Sequence, residues 1–420
     1  VNGLNSDWLI SRQRFFGVPF PLWYPITAGG AVDHDHPIAA DEVDLPVDPF
    51  TDVPPGYTAD QRDQPGGFTG DPDVMDTWAT SSLTPQIATG WADDADLFAR
   101  TFPMDVRPQA HEIIRTWLFS TVVRAHYLHE CLPWTDAAIS GWVLDPDRKK
   151  MSKSKGNVVT PIGLLNQYGS DAVRYWAASG RPGVDTTFDE GQMKVGRRLA
   201  IKVLNASRFA LSRTGGAEEG GVTAPLDRAM LAGLADLVAE ATAAFEGYDY
   251  ARALERTETF FWRFCDDYLE LVKGRAYGSQ GPEAQASADR ALRLALSTVL
   301  RLLAPFMPFV TEEVWSWWQE GSVHRASWPD ADELRAAAGP DADRAILEAA
   351  AAALGEVRKA KSEARQSMRA DVRLAVVSDT AERLAALRQA ADDLKEAGRI
   401  GELAFEEAAD LAVKVELDQG

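Results

Sequence analysis

The sequence predicts an α/β fold, then an all-α fold, then a small α/β appendage. Three observations carry this. Residues 1 to about 70 are rich in Pro, Gly and Asp, and from Pro108 helix-like and strand-like stretches alternate. From about 190 to 320 the apolar spacing is almost continuously helical. Beyond a linker containing Pro329 and Pro340, one long helix-like stretch precedes a strand, a helix and two strands.

In order along the chain, the first 70 residues read as loops and short strands. "HEIIRTWLFSTVVRAHYL" puts Ile113, Ile114, Trp117, Leu118, Thr121, Val122 and Ala125 on one helical face. "AAISGWVL" reads as one short strand, and "PIGLLNQYGSDAVRYWAASG" as a helix broken at Gly169. Such alternation fits part of an open parallel sheet. The helical stretch must divide near Gly247, being too long for one helix, and its pattern predicts a bundle with "FFWRFCDDYLELV" in the core. The tail predicts a helix over 342–369, a strand "DVRLAVV", a helix over 380–397 and strands "LAFEE" and "LAVKVEL". The expected domains are 1–190, 191–330 and 341–420. No internal repeat stands out.

A length of 420 residues exceeds one ordinary domain. No apolar run reaches the roughly 18 residues of a membrane span, and no signal peptide is visible. The two cysteines, Cys131 and Cys265, exclude a disulfide framework and a four-cysteine zinc site and suit a reducing cytoplasm. A net charge of −20 argues against nucleic-acid binding by the whole surface while permitting a local basic face. The chain opens on Val1 rather than Met and runs at once into apolar sequence, which suggests a fragment.

"PDRKKMSKSKGNVVTP", residues 146–161, gathers Lys149, Lys150, Lys153 and Lys155 around Met151, Ser152, Ser154 and Gly156. Such mobile donors suit an oxyanion-rich ligand such as a triphosphate. Composition alone leaves that reading level with a solvated charge run. The wording "KMSKS", Lys150 to Ser154, resembles the signature loop of class I aminoacyl-tRNA synthetases. Other segments agree, in order. "DWLISRQRFFGVPFPLWYP" resembles the re-entry into the catalytic domain after the editing insertion. "DVMDTWATSSLTPQIATGW" resembles the "DTWFSS" block of the valyl-tRNA synthetases. "HEIIRTWLFSTVVRA" resembles the pocket helix that follows, and "LLAPFMPFVTEEVWSWW" a late helix of the anticodon-binding bundle. The resemblance covers about 1–330 and, more loosely, the tail.

The resemblance implies the C-terminal half of a valyl-tRNA synthetase: a partial Rossmann-like catalytic domain, an anticodon-binding bundle and a small C-terminal domain. It implies a cytoplasmic enzyme, monomeric when complete, that uses ATP with Mg²⁺ to activate valine and transfers it to tRNA-Val. One departure matters. The family's His-x-Gly-His motif is absent from the six histidines, and the editing domain and first sheet strands would lie upstream of Val1. The chain by itself is therefore expected to be inactive and to need the N-terminal half as a partner.

By the same resemblance, Lys153 and then Lys150 contact the ATP phosphates, where ammonium groups stabilise charge developing on pyrophosphate. Ser152 and Ser154 donate to phosphate or only shape the loop beside Met151. The backbone of Gly141, Trp142 and Val143 holds adenine. Trp78, Ile113 and Trp117 form the apolar valine pocket, against the alternative of ordinary core packing. Asp76 orients the pocket or the substrate amine, or caps a helix. Glu112 is a substrate-side carboxylate or a helix N-terminal charge. An apolar pocket rejects an added hydroxyl weakly; about a hundredfold against threonine is the value known for this enzyme family rather than one read from these residues.

Residues 191–217 hold Lys194, Arg197, Arg198, Lys202, Arg208 and Arg213 and no acidic residue. Arg197, Arg198, Lys202 and Arg208 are the candidate tRNA-phosphate contacts, against pairing with the acidic bundle. Arg358, Lys359, Lys361, Arg365 and Arg369 form a second basic set, equally well read as a solvated face. No metal site is expected: His126, His129 and Cys131 have no fourth ligand nearby, and "DHDH" at residues 33–36 is isolated. The alternatives are an isoleucyl-tRNA synthetase fragment, disfavoured by "DTWATSS", and a non-catalytic tRNA-binding module derived from a synthetase, disfavoured by an intact "KMSKS".

Overall fold

The computed structural model describes residues 7–212 and 221–418, without the side chain of Lys153. The chain divides into two compact units, Val1–Gly141 and Trp142–Gly420.

The Pro- and Gly-rich start of the first unit forms short antiparallel strands. Leu22–Pro25 lies between Ile38–Ala39 and Phe68–Gly70, and Ser11–Arg12 pairs with Val74–Met75. Trp23 and Phe68 are fully buried there. Two longer strands, Met104–Ala110 and Trp134–Ser140, run parallel. A parallel pair needs a crossover, and the helix Phe119–His129 supplies it.

That helix departs from the expected straight run. It opens with a 3₁₀ turn, His111–Ile113, and a π turn, Ile114–Leu118. The π turn inserts an extra residue into the helical repeat. Trp117, Thr121 and Ala125 consequently form the buried stripe, whereas Ile114 falls outside it at 42% exposure.

"AAISGWVL" is two strands rather than one. Trp134–Ser140 ends before Gly141, and Val143–Leu144 belongs to the second unit, where it pairs in parallel with Thr186–Thr187. Helices Pro161–Tyr168 and Ser170–Ala178 follow. Gly169 divides them at φ 88°, a conformation that a side chain would oppose.

The bundle comprises Glu190–Leu211, Pro225–Glu246, Tyr250–Arg263, Leu269–Ala276, Pro282–Leu303 and Pro308–Trp315. Its starts are written in the sequence: Asp189 and Asp249 accept N-terminal amides, and Pro225, Pro282 and Pro308 occupy first turns. The break at Gly247 and the buried aromatic cluster are as expected: Phe261, Phe264 and Tyr268 lie in the core. A π turn, Phe264–Tyr268, joins the third and fourth helices.

The tail begins with the helix Arg344–Glu363. Strand Val372–Asp379 is flanked by Ile400–Glu407 in parallel and Ala412–Leu417 antiparallel. The expected helix over 380–397 is two, Ala381–Arg388 and Ala391–Gly398. One apolar core runs from Tyr175 through the bundle to Val372, Ala375 and Val377. Across it lies a buried ion network. Arg275 donates to both oxygens of Asp227, at 2.6 and 2.7 Å, and to Asp393 at 2.7 Å; Tyr268 and Ser287 also donate to Asp227.

Among the described residues no helix is long and apolar enough to cross a membrane.

Candidate active site

The lysine loop grows from a tight hairpin. Leu144 and Lys150 form an antiparallel bridge. The turn between them is closed by the Asp145 amide donating to the Lys149 carbonyl and the Arg148 amide to the Asp145 carbonyl, each at 2.9 Å. Arg148 takes a left-handed conformation, φ 61°. The buried Asp145 carboxylate then accepts the Lys149 amide and the Asn157 side-chain amide, both at 2.7 Å. Those bonds, the Lys149 amide above all, hold its pKa below the usual carboxylate range.

Asn157 works in both directions. Its oxygen accepts the Ser152 amide at 2.9 Å, and its nitrogen also donates to the Lys150 carbonyl at 3.3 Å. Gly156, at φ 66°, lets the chain double back so that residue 157 reaches residue 152. Ser152 and Ser154 hydroxyls lie 3.2 Å apart. Met151 packs against the small core of Tyr168, Ala172, Phe188 and Met193. The Lys150 ammonium sits 3.3 Å from the centroid of the Trp142 ring. Lys153 lies in a 3₁₀ turn, Lys153–Lys155, and its side chain is outside the described part.

Of the predicted adenine segment, Gly141 closes the first unit, while Trp142 and Val143 open the second. The Trp142 amide donates to Asp185 at 2.7 Å. Val143 pairs with Thr186.

The predicted valine residues all lie in the first unit. Asp76 caps the helix Thr77–Ser81 by accepting the Trp78 amide at 2.8 Å, and its other oxygen pairs with Arg12 at 2.7 Å. Trp78 is 37% exposed, Ile113 is half-buried and Glu112 is exposed. Trp117 is 3% exposed. Its indole donates to the Ser81 carbonyl at 2.9 Å, Trp134 stacks parallel to it, and the Arg107 guanidinium lies 4.0 Å from its ring centroid. That geometry is the core-packing reading of Trp117.

On Glu190–Leu211, Lys194, Arg197, Arg198 and Arg208 are exposed, and Arg197 donates to the Gln167 carbonyl at 2.6 Å. Lys202 pairs with Asp266 at 2.9 Å, and Arg208 sits 5.8 Å from the Trp317 ring centroid. Arg213 lies outside the described residues. In the second basic set, Lys361 is not on a solvated face: it is 1% exposed and donates to the Gly398 carbonyl at 2.8 Å. Among the described residues no three His, Cys, Asp or Glu side chains gather to hold a metal.

Sequence reasoning passed over Asp145, Asn157 and Arg12. The first two had a signal: they bracket the lysine run, in "LDPDRKK" and "SKGN". Arg12 had none, since its partner is 64 residues away.

The family model described as "tRNA synthetases class I (I, L, M and V)" matches residues 4–189, and "Anticodon-binding domain of tRNA ligase" matches residues 227–376. Over residues 4–189 the chain is thus similar to the class I aminoacyl-tRNA synthetases. Its curated relatives are valine–tRNA ligases. It is 64% identical to that of Thermobifida fusca (strain YX) over 100% of this chain and 47% of the relative. It is 60% identical to that of Salinispora tropica over 97% and 49%, and 57% identical to that of Cutibacterium acnes over 100% and 48%. The chain thus spans about half the length of the curated relatives it matches. A crystal structure of the ternary LeuRS–tRNA–LeuAMS complex of Agrobacterium radiobacter K84 contains a chain of like fold, with TM-score 0.60 at 20% identity over 98% of this chain and 52% of that one.

Proposed function

We propose that this chain is the lysine-loop half of a valine–tRNA ligase, which activates valine with ATP and transfers it to tRNA-Val. The observation that carries the reading is an intact and internally braced KMSKS loop in a chain similar to valine–tRNA ligases along its whole length. In this reading the valine carboxylate attacks the α-phosphate of ATP and pyrophosphate leaves. Lys153 and Lys150 bring positive charge to the departing phosphates. Ser152 and Ser154 add hydroxyl donors, Met151 anchors the loop, and the backbone from Gly141 to Val143 takes adenine.

Mg²⁺ arrives with the nucleotide, carried by phosphates as is usual for this ion. Trp78 and Ile113 border the valine side chain, with Trp117 behind them, and Asp76 and Glu112 face the polar end of the substrate. Arg197, Arg198 and Arg208, with Lys202, follow the tRNA backbone. Residues 1–190 serve catalysis, 191–330 tRNA contact and 341–420 form a small terminal domain, in a cytoplasmic enzyme that is monomeric when complete.

The test is tRNA charging by the chain completed with the remaining half of the Thermobifida fusca enzyme. Valylation of a tRNA-Val transcript, with tRNA-Ile and tRNA-Leu left uncharged, is the expected result. Charging of tRNA-Ile instead would overturn it.

A further inference from the structure

We infer that Asp145 and Asn157 are positioning residues: a two-residue latch that fixes the backbone of the lysine loop from outside the five-residue signature. The inference rests on the proposed ATP role of that loop.

The loop must bring two cations to a moving phosphate, yet its own residues offer little to hold it. Lys149 pairs with Asp147 at 3.7 Å, the Lys150 ammonium lies over the Trp142 ring, and the Ser152 and Ser154 hydroxyls face each other; these are side-chain contacts that leave the backbone to be fixed. The latch supplies the missing order. One carboxylate oxygen of Asp145 takes the Lys149 amide, and the other takes the Asn157 side chain. Asn157 in turn takes the Ser152 amide and gives to the Lys150 carbonyl. The backbone on both sides of Lys150, and the residue before Lys153, are therefore tied to one pair, a buried Asp145 and a half-buried Asn157. Charge-assisted bonds to a carboxylate are the stronger kind, and a pair linked in series acts as one unit. Neither side chain needs to touch ATP; each acts through the lysines.

The chemistry of the pair dictates the test. Asp145 is acceptor-only, whereas Asn157 must both accept and donate. Asn157→Asp alone puts carboxylate against carboxylate. Asp145→Asn alone sets amide against amide, so that one of the two bonds fails whichever way Asn157 is turned. The exchanged pair, D145N with N157D, restores the link between the two side chains and the Ser152 bond: the new amide at 145 donates to the new carboxylate at 157, which still accepts the Ser152 amide, and only the longer bond to the Lys150 carbonyl is lost.

The experiment is valine-dependent ATP–pyrophosphate exchange by the completed enzyme, with trypsin cleavage between residues 148 and 156 followed on this chain alone. Each single variant should lose about tenfold to a hundredfold in kcat while KM for valine stays unchanged, and its loop should be cut several-fold faster. The exchanged pair should recover most of the kcat and the protection. Single variants with unaltered kcat and cleavage, or an exchanged pair no better than its singles, would overturn the latch. If the unmutated completed enzyme shows no valine exchange, the functional reading falls; the cleavage pattern still decides the latch separately.

Discussion

At the scale of single residues, the loop lysines and the two tryptophans carry the account. Replacing Lys153 or Lys150 by Ala in the completed enzyme should lower kcat for adenylate formation by roughly 10²-fold, the usual cost of one charge-stabilising donor. KM for valine should hold, because the role proposed for the lysines is at the phosphates. Steady-state exchange kinetics measure both. The tryptophans should behave oppositely. Trp117→Ala removes a buried ring with a hydrogen-bonded indole and should cost about 3–5 kcal/mol in urea unfolding. Trp78→Ala, at a partly exposed position, should leave stability nearly unchanged and raise KM for valine. Composition left the lysines level with a solvated charge run, and the wording KMSKS with its companion segments singled them out. Sequence could not distinguish the tryptophans, since an indole suits a pocket and a core alike. What buries Trp117 comes from Arg107 and Trp134, on two strands that only the fold brings to it.

At the scale of elements, helices were legible and the smallest strands were not. The Asp and Pro starts and the 3.6-residue spacing are local signals, so the bundle was readable from its sequence. Thr186–Thr187 is a strand only because Val143–Leu144 lies beside it. The two π turns were equally hidden, since an inserted residue changes no composition.

The bundle's interior rests on the Arg275 network. Burial alone would lower the Arg275 pKa, but its bonds to Asp227 and the charges of Asp227 and Asp393 raise it instead. Asp227→Ala leaves the guanidinium buried without its main partner and should cost about 3–5 kcal/mol by chemical denaturation. Burial pushes Asp393 up to about 6, against the opposing pull of Arg275. An unfolded aspartate titrates near 3.9, so between roughly pH 4 and 6 the native state binds the extra proton. This group's contribution is fully present below the unfolded value and is lost as pH rises through about 6. Asp393→Asn should therefore flatten the fall in stability between about pH 4 and 6. An unchanged slope in paired urea titrations would remove Asp393 from the account.

At the scale of the whole molecule, an acidic chain is proposed to hold a polyanion, which makes the basic face of Glu190–Leu211 the part to probe. Arg197→Ala and Arg198→Ala should each weaken tRNA binding and shallow the dependence of log K on log salt by about one. Lys202→Ala should do less, because Asp266 already neutralises it. Filter binding across a salt series reads both quantities.

The most direct test of the central claim is amino-acid-dependent ATP–pyrophosphate exchange with valine, isoleucine and leucine side by side. It is run on this chain alone and on the chain completed with the remaining half of a relative. The account predicts no exchange alone and valine-selective exchange when completed. Exchange that favours isoleucine or leucine would contradict the valine assignment, and exchange with none of the three, while tRNA still binds, would contradict a catalytic role for the lysine loop.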